Sequence, residues 1–187
     1  MPITQIDNNT ALIAIDLQYG IVELVDAKDA SKVIEHTNLL LNTFHSLNWP
    51  VVLVNVSGRP DGRVDSPSRS SRELKPNWTT LIEELNHHRT DIVITKQTWG
   101  AFTHTQLHQR LQSLNVTHVV ITGIATSMGV LSTAMQAYEL GYNVTICHDA
   151  VTDPSLANHA FALSSVIPKI SEVGTTLDFI SLAKSLY

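Results

Sequence analysis

The chain has 187 residues, 43% of them hydrophobic and 16% charged, which is the length of one domain and too little charge for a disordered or coiled-coil chain. Twelve Lys and Arg against seventeen Asp and Glu leave a net charge of −5, and the basic residues are scattered, which excludes an electrostatic nucleic-acid binder. The single cysteine, Cys147, excludes a disulfide framework and a cysteine-built zinc site, and no run approaches the ~20 apolar residues of a membrane span. With no basic-then-apolar leader at its start, the chain is expected to be one soluble, cytoplasmic domain over residues 1–187, with no nucleic-acid or membrane partner.

Ala11–Leu17 (ALIAIDL) reads as a strand buried on both faces, as strands of parallel sheets are. Asp29 is placed to cap a helix whose apolar positions are Val33, Leu40, Leu41, Phe44 and Leu47. After Pro50, Val51–Val56 is the second strand. Ser57–Asn77 holds three Pro, two Gly, five Ser and four Arg without a period, and reads as a long surface loop. A short helix over Thr79–His88 leads to a third strand, Asp91–Thr95, and a helix over Thr103–Leu114 leads to a fourth, His118–Thr122. Gly123 ends that strand, a turn runs through Ala125–Ser127, and a helix continues to Leu140 with Gly141 at its C′ position. Asn143–Cys147 is the fifth strand, and Ala157–Val166 is a helix stopped by Pro168. A short strand over Ile170–Val173 and a helix over Leu177–Leu186 finish the chain. Strand and helix alternate throughout, which predicts an α/β three-layer sandwich of Rossmann-like topology: a mostly parallel sheet, right-handed crossovers, helices on both faces.

In an open parallel sheet, ligands bind outside the carboxyl ends of the strands, near the switch in strand order. Asp16 lies at the end of the first strand, followed by Gln18 and Tyr19. Lys96 lies at the end of the third, followed by Trp99 and Phe102, and Gly123–Val130 follows the fourth and opens a helix. A carboxylate, an ammonium and a helix start thus converge on one crevice. Taken singly, each has a plainer reading: an Asp bonded to backbone amides, a solvated Lys, a tolerated Gly. Their coincidence at strand ends points to chemistry. Tyr19, Trp99 and Phe102 either wall a pocket there or pack in the core.

The segments IDLQ (Ile15–Gln18), Lys96 with WGAF, GIATSMGVLSTA (Gly123–Ala134) and HDA (His148–Ala150) resemble the isochorismatase-like hydrolase superfamily, from Ala11 to about Leu182. The resemblance implies a six-stranded sheet flanked by helices. In most members, nicotinamidases and N-carbamoylsarcosine amidohydrolase among them, it also implies an Asp–Lys–Cys triad. Asp16 matches the Asp, Lys96 the Lys, and Gly129 stands where the Cys would be. A glycine forms no thioester, so the covalent amidase route is closed. Cys147, inside a predicted strand and away from any helix start, reads as a core residue.

Isochorismatases are similar in carrying Gly at that position, and they hydrolyse a vinyl ether by protonating its enol-ether carbon. By that resemblance Asp16 is the general acid and Lys96 its electrostatic partner. The amides of Ala125 and Gly129 hold an oxygen, aimed by a cis peptide between Ile124 and Ala125. Gln18, Tyr19, Trp99, Phe102 and Thr126 surround the substrate. Burial would raise the pKa of Asp16 and Lys96 would lower it. Arg59, Arg63, Arg69 and Arg72 of the long loop could meet substrate carboxylates. Two alternatives stand beside this: a degenerate member that binds a small molecule without turning it over, and a cysteine-independent amidase that works through activated water. The resemblance also implies a small-molecule substrate, no cofactor, and a homo-oligomer, dimer or tetramer.

Nicotinamidase-type members bind a metal through Asp-x-His after the second strand; here that place reads Asn55-Val56-Ser57-Gly58, so no metal site is expected. His104 and His108, four apart on a predicted helix, have no catalytic Glu between them and read as a surface pair. His87 and His88 read as a helix end, and His159 as a structural residue at another. Neither a dinucleotide loop nor a P-loop is present.

Overall fold

The computed structural model describes residues 3–65 and 75–186; Arg69, Arg72 and the middle of the predicted long loop lie outside the described residues. The strands are β1 (Thr10–Ile15), β2 (Val51–Val56), β3 (Ile92–Lys96), β4 (His118–Ile124), β5 (Asn143–Thr152) and β6 (Glu172–Gly174). They form one six-stranded sheet in the order β3-β2-β1-β4-β5-β6, and every pairing in it is parallel. The helices are α1 (Tyr19–Val22), α2 (Ala27–Ser46), α3 (Leu107–Ser113), α4 (Leu131–Glu139), α5 (Leu156–Phe161) and α6 (Thr176–Lys184). No helix among the described residues is long and apolar enough to cross a membrane.

β1 explains why the sheet is covered on both sides. All six of its residues are buried, and they alternate between two cores. Leu12 and Ala14 join Val33, Leu40, Phe44 and Phe179 on the α2 and α6 face. Ala11, Ile13 and Ile15 join Leu107, Leu111, Ala134 and Ala137 on the α3 and α4 face. With both faces apolar, the strand has no solvent side, and each crossover must lay a helix over one of them. Phe44 stacks on Phe179 at 5.7 Å and meets Trp49 edge-on at 5.3 Å, which ties the long helix to the last one. α4 ends in a Schellman motif: the amide of Gly141, at φ 88°, reaches the Tyr138 carbonyl, and that of Tyr142 reaches Ala137.

The structure corrects the sequence reading in four places. The helix expected over Thr79–His88 does not form, because its backbone groups are spent on the turn after β1. The amides of Tyr19 and Gly20 take the carbonyls of Thr80 and Trp78, and the amide of Ile82 takes that of Leu17. His87 and His88 therefore end no helix; His88 stacks on His45 at 3.6 Å. The long helix starts earlier than expected, with Asp26, not Asp29, accepting the amide of Lys28 as cap. His104 precedes α3, at φ 56°, so it shares no helix with His108. β5 runs five residues beyond its expected end at Cys147, through the polar pair His148-Asp149, and pairs with β4 across a register shift between Ile121 and Gly123.

The capping difference is directly measurable. Asp26→Ala should lower stability by about 1 kcal/mol. Asp29→Ala removes an exposed contact to Lys32 at 3.7 Å and should cost less than about 0.5 kcal/mol in the same denaturant titration.

Candidate active site

The strand order reverses between β1 and β4, since the chain moves outward to β2 and β3 and then returns to the other side of β1. The carboxyl ends of these two strands are Asp16 and the Ile124–Ala125 step. Asp16 leaves the strand at φ 53°, a left-handed conformation that Asp tolerates better than most residues, while its amide still bonds the Val54 carbonyl. Lys96, the last residue of β3, reaches across the end of β2 and donates to Asp16 Oδ2 at 2.7 Å and to the Thr98 carbonyl at 3.2 Å. Both residues are buried, at 5% and 2% exposure. Burial outweighs the neighbouring ammonium and lifts the Asp16 carboxyl from 3.8 to about 6. Asp16 Oδ1 is buried and has no hydrogen-bond partner among the described residues, so one oxygen is committed to Lys96 and the other is not.

The third wall is the segment after β4. Gly123 takes φ 113° with its Cα pressed on β1; a Cβ there would lie 2.0 Å from the Ile15 carbonyl oxygen, so only glycine fits. The peptide between Ile124 and Ala125 is cis. A π-helical turn, Thr126–Val130, then leads into α4, with the amides of Met128 and Val130 both on the Ala125 carbonyl. That turn brings Gly129 against the ion pair. A Cβ at 129 would stand 3.1 Å from Asp16 Oδ2 and 2.9 Å from Ile15 Cγ2. Thr133 holds the turn in place by donating to the Gly129 carbonyl at 2.7 Å while accepting the Ala101 amide at 3.1 Å.

The structure thus brings Asp16, Lys96, Ala125 and Gly129 to one point at the switch in strand order. The remaining residues singled out in the sequence lie around it in different ways. Gln18 is fully buried and its side-chain amide is spent on backbone, bonding the carbonyls of Val56 and Trp78 and the amide of Val56. Tyr19 opens α1 and packs on the α2-side core. Trp99 is 61% exposed. Phe102 packs on the α3–α4 side, beside Tyr142 at 5.9 Å and His108 at 6.5 Å. Thr126 is buried, and its hydroxyl meets His159 Nδ1 at 2.9 Å. Arg59 and Arg63 are exposed. Asn55 is tied to Thr79 and Thr95, and the described residues contain no group of three His, Cys, Asp or Glu able to hold a metal ion. Cys147 lies fully buried in β5, its thiol pushed far up by burial, which leaves it inert as a nucleophile.

Asp153 was missed. It follows β5 and accepts the Ser127 amide and hydroxyl on Oδ2, at 2.8 and 2.7 Å, and the Ser155 amide on Oδ1. The strand-end rule that found Asp16 and Lys96 would have found it too, had the fifth strand been carried to Thr152.

Residues 10–178 match the isochorismatase domain. The chain belongs to the isochorismatase family of hydrolases. It is 33% identical over 182 residues to the uncharacterized isochorismatase family protein YwoC of Bacillus subtilis, covering 94% of each chain. It is 35% identical over 171 residues to the family protein YecD of Escherichia coli O157:H7, covering 88% of this chain and 90% of that one. Among solved structures, an isochorismatase family protein from Burkholderia thailandensis superposes with a TM-score of 0.90 at 38% identity, covering 98% of both chains.

The buried ion pair carries a stability consequence. Removing one partner, as in Asp16→Asn or Lys96→Met, leaves a polar or charged group buried without its mate and should cost about 3–5 kcal/mol. Combining Asp16→Leu with Lys96→Met should cost less than the sum of the single changes in a double-mutant cycle by denaturant unfolding. The carboxyl also adds a pH slope. Folded Asp16 keeps its proton up to about pH 6, whereas the unfolded chain releases it near 3.8, so the folded state binds more protons in between. Stability from this group therefore falls as pH rises through that window, and the slope should be missing in Asp16→Asn.

Proposed function

We propose that this chain is a cysteine-independent hydrolase that cleaves a vinyl ether, isochorismate or a close relative, with Asp16 as general acid. In this reading Gly129 occupies the position of the family's nucleophilic cysteine. The observation that carries the proposal is the asymmetry of the Asp16 carboxyl: Lys96 holds Oδ2 at 2.7 Å, and the buried Oδ1 has no partner among the described residues. In this reading the proton resides on Oδ1, the oxygen that Lys96 does not hold. A carboxyl titrating at about 6 carries that proton in mildly acidic solution and surrenders it to a weakly basic carbon more readily than an amine would.

The steps balance without a nucleophilic side chain. Oδ1 gives its proton to the terminal carbon of the enol ether, leaving an oxocarbenium ion and a carboxylate. Lys96 stabilises that carboxylate. Water adds to the cation and returns a proton to Asp16, and the hemiketal collapses to pyruvate and the free alcohol. The amides of Ala125 and Gly129 hold the oxygen on which charge changes. Because the only cysteine is buried in β5, thioester chemistry has no group to run on. A member that binds without turnover is the second reading, favoured by the near-complete burial of the site's polar groups.

The deciding experiment follows pyruvate release from isochorismate. Wild-type protein should release pyruvate with kcat/KM falling as pH rises through about 6, because the acid must be protonated. Asp16→Asn should lower the rate by about 10²–10⁴-fold, the usual contribution of a general acid. Thermal stabilisation by isochorismate with no pyruvate would defeat the enzyme reading and support the binding one.

A further inference from the structure

A second polar device stands on the far side of the Gly129 turn, and neither the ion pair nor the proposed acid step uses it. Thr126, the first residue of the turn, has 0% exposure, and among the described residues its hydroxyl has one partner, His159 Nδ1 of α5 at 2.9 Å. One bond leaves a buried hydroxyl with either its hydrogen or its lone pairs unspent. Which of the two is unspent depends on the imidazole. With Nδ1 bare, the hydroxyl donates to the ring and offers only lone pairs elsewhere. With Nδ1 protonated, the ring donates and the hydroxyl hydrogen turns free.

The anchoring around this pair is rigid. Asp153 grips the next residue, Ser127, through two bonds and caps the chain into α5 through the Ser155 amide, so its carboxylate is fully engaged. The Ser155 hydroxyl accepts the Asn158 amide at the start of α5. The same turn carries Gly129, where a Cβ would lie 3.1 Å from Asp16 Oδ2. Thr126 thus stands three residues before Gly129 in one turn. The groups that face His159 are Asp153 from the β5–α5 connection, Asp29 from α2 and His148 from β5. Burial outweighs the two carboxylates and, with His148, holds the imidazole below its ordinary value, so the ring is neutral at pH 7.

We propose that His159 is a positioning residue of this site: its ring sets the direction of the Thr126 hydroxyl and, through the Thr126–Val130 turn, the seat of Gly129 against Asp16. The proposal rests on the reading of Asp16 as the site's acid, and its test has one arm that needs no substrate. In that arm the Asp16 carboxyl carbon is followed by NMR across pH in wild type, His159→Gln and Thr126→Val. Both variants should move the Asp16 midpoint by about 0.3 pH units or more, with Thr126→Ser restoring the wild-type value. A shift in His159→Gln alone is an effect of the lost ring that bypasses Thr126 and overturns the proposal, as does no shift in either. In the activity arm, Thr126→Val should lower kcat about tenfold with KM changed less than about twofold, and Thr126→Ser should recover most of it. His159→Gln, which keeps a hydrogen-bonding side chain without titrating, should fold even where Thr126→Val does not. Coupled Asp16 titration without pyruvate release would defeat vinyl-ether hydrolysis and still uphold the positioning role.

Discussion

A single ion pair sets the conditions for everything at the carboxyl edge of this sheet. Asp16 and Lys96 come from strands that are not neighbours, and they meet over the end of β2 at 2.7 Å with almost no water around them. Two charges taken out of water are expensive, and the attraction between them offsets that expense only when the geometry is held. Much of the local architecture holds it. Gln18 stitches the turn after β1 to the end of β2 and to Trp78, and the Thr98 carbonyl takes a second hydrogen from Lys96. Gly123 lets β4 press on β1 closely enough for the following turn to reach the pair.

The same constraint produces the site's electrostatic character. Lys96 alone would hold Asp16 ionised at every physiological pH. The depth of burial reverses that preference and brings the carboxyl to about 6, where it carries or releases a proton according to its surroundings. Gly129 completes the arrangement by leaving out a side chain. Gly129 brings only backbone to the two oxygens of the carboxyl and the ammonium. The chain's one thiol is sealed in β5 behind a full layer of core.

How much of this was legible in the sequence depends on the range of the interactions involved. The strands read correctly because a strand buried on both faces is an unbroken β-branched run; Val51–Val56 matches residue for residue, and β1 and β4 differ only at their ends. Asp16 and Lys96 were legible because strand ends in parallel sheets fall on one edge. The failures occurred where a distant segment decided the outcome. Residues 79–88 have a composition compatible with a helix, yet their backbone groups bond the turn after β1, some sixty residues away. β5 was cut short at His148-Asp149, since a polar pair ends an apolar run on paper. In the fold Asp149 accepts the amide and hydroxyl of Thr176 and the strand continues. That error also hid Asp153.

The sequence by itself determined the class of fold, the order of strands, the absence of an available thiol, and the residue types gathered at the sheet's edge. Those follow from local periodicity and from what each side chain can or cannot do. Only the tertiary structure decided which of these groups touch. It committed Gln18 to backbone and turned Phe102 toward Tyr142. It tied Thr126 to His159 and left one oxygen of Asp16 without a partner among the described residues. Partnership, burial and pKa are properties of contacts between residues far apart in the chain, and a pattern read along one strand of sequence holds no term for them.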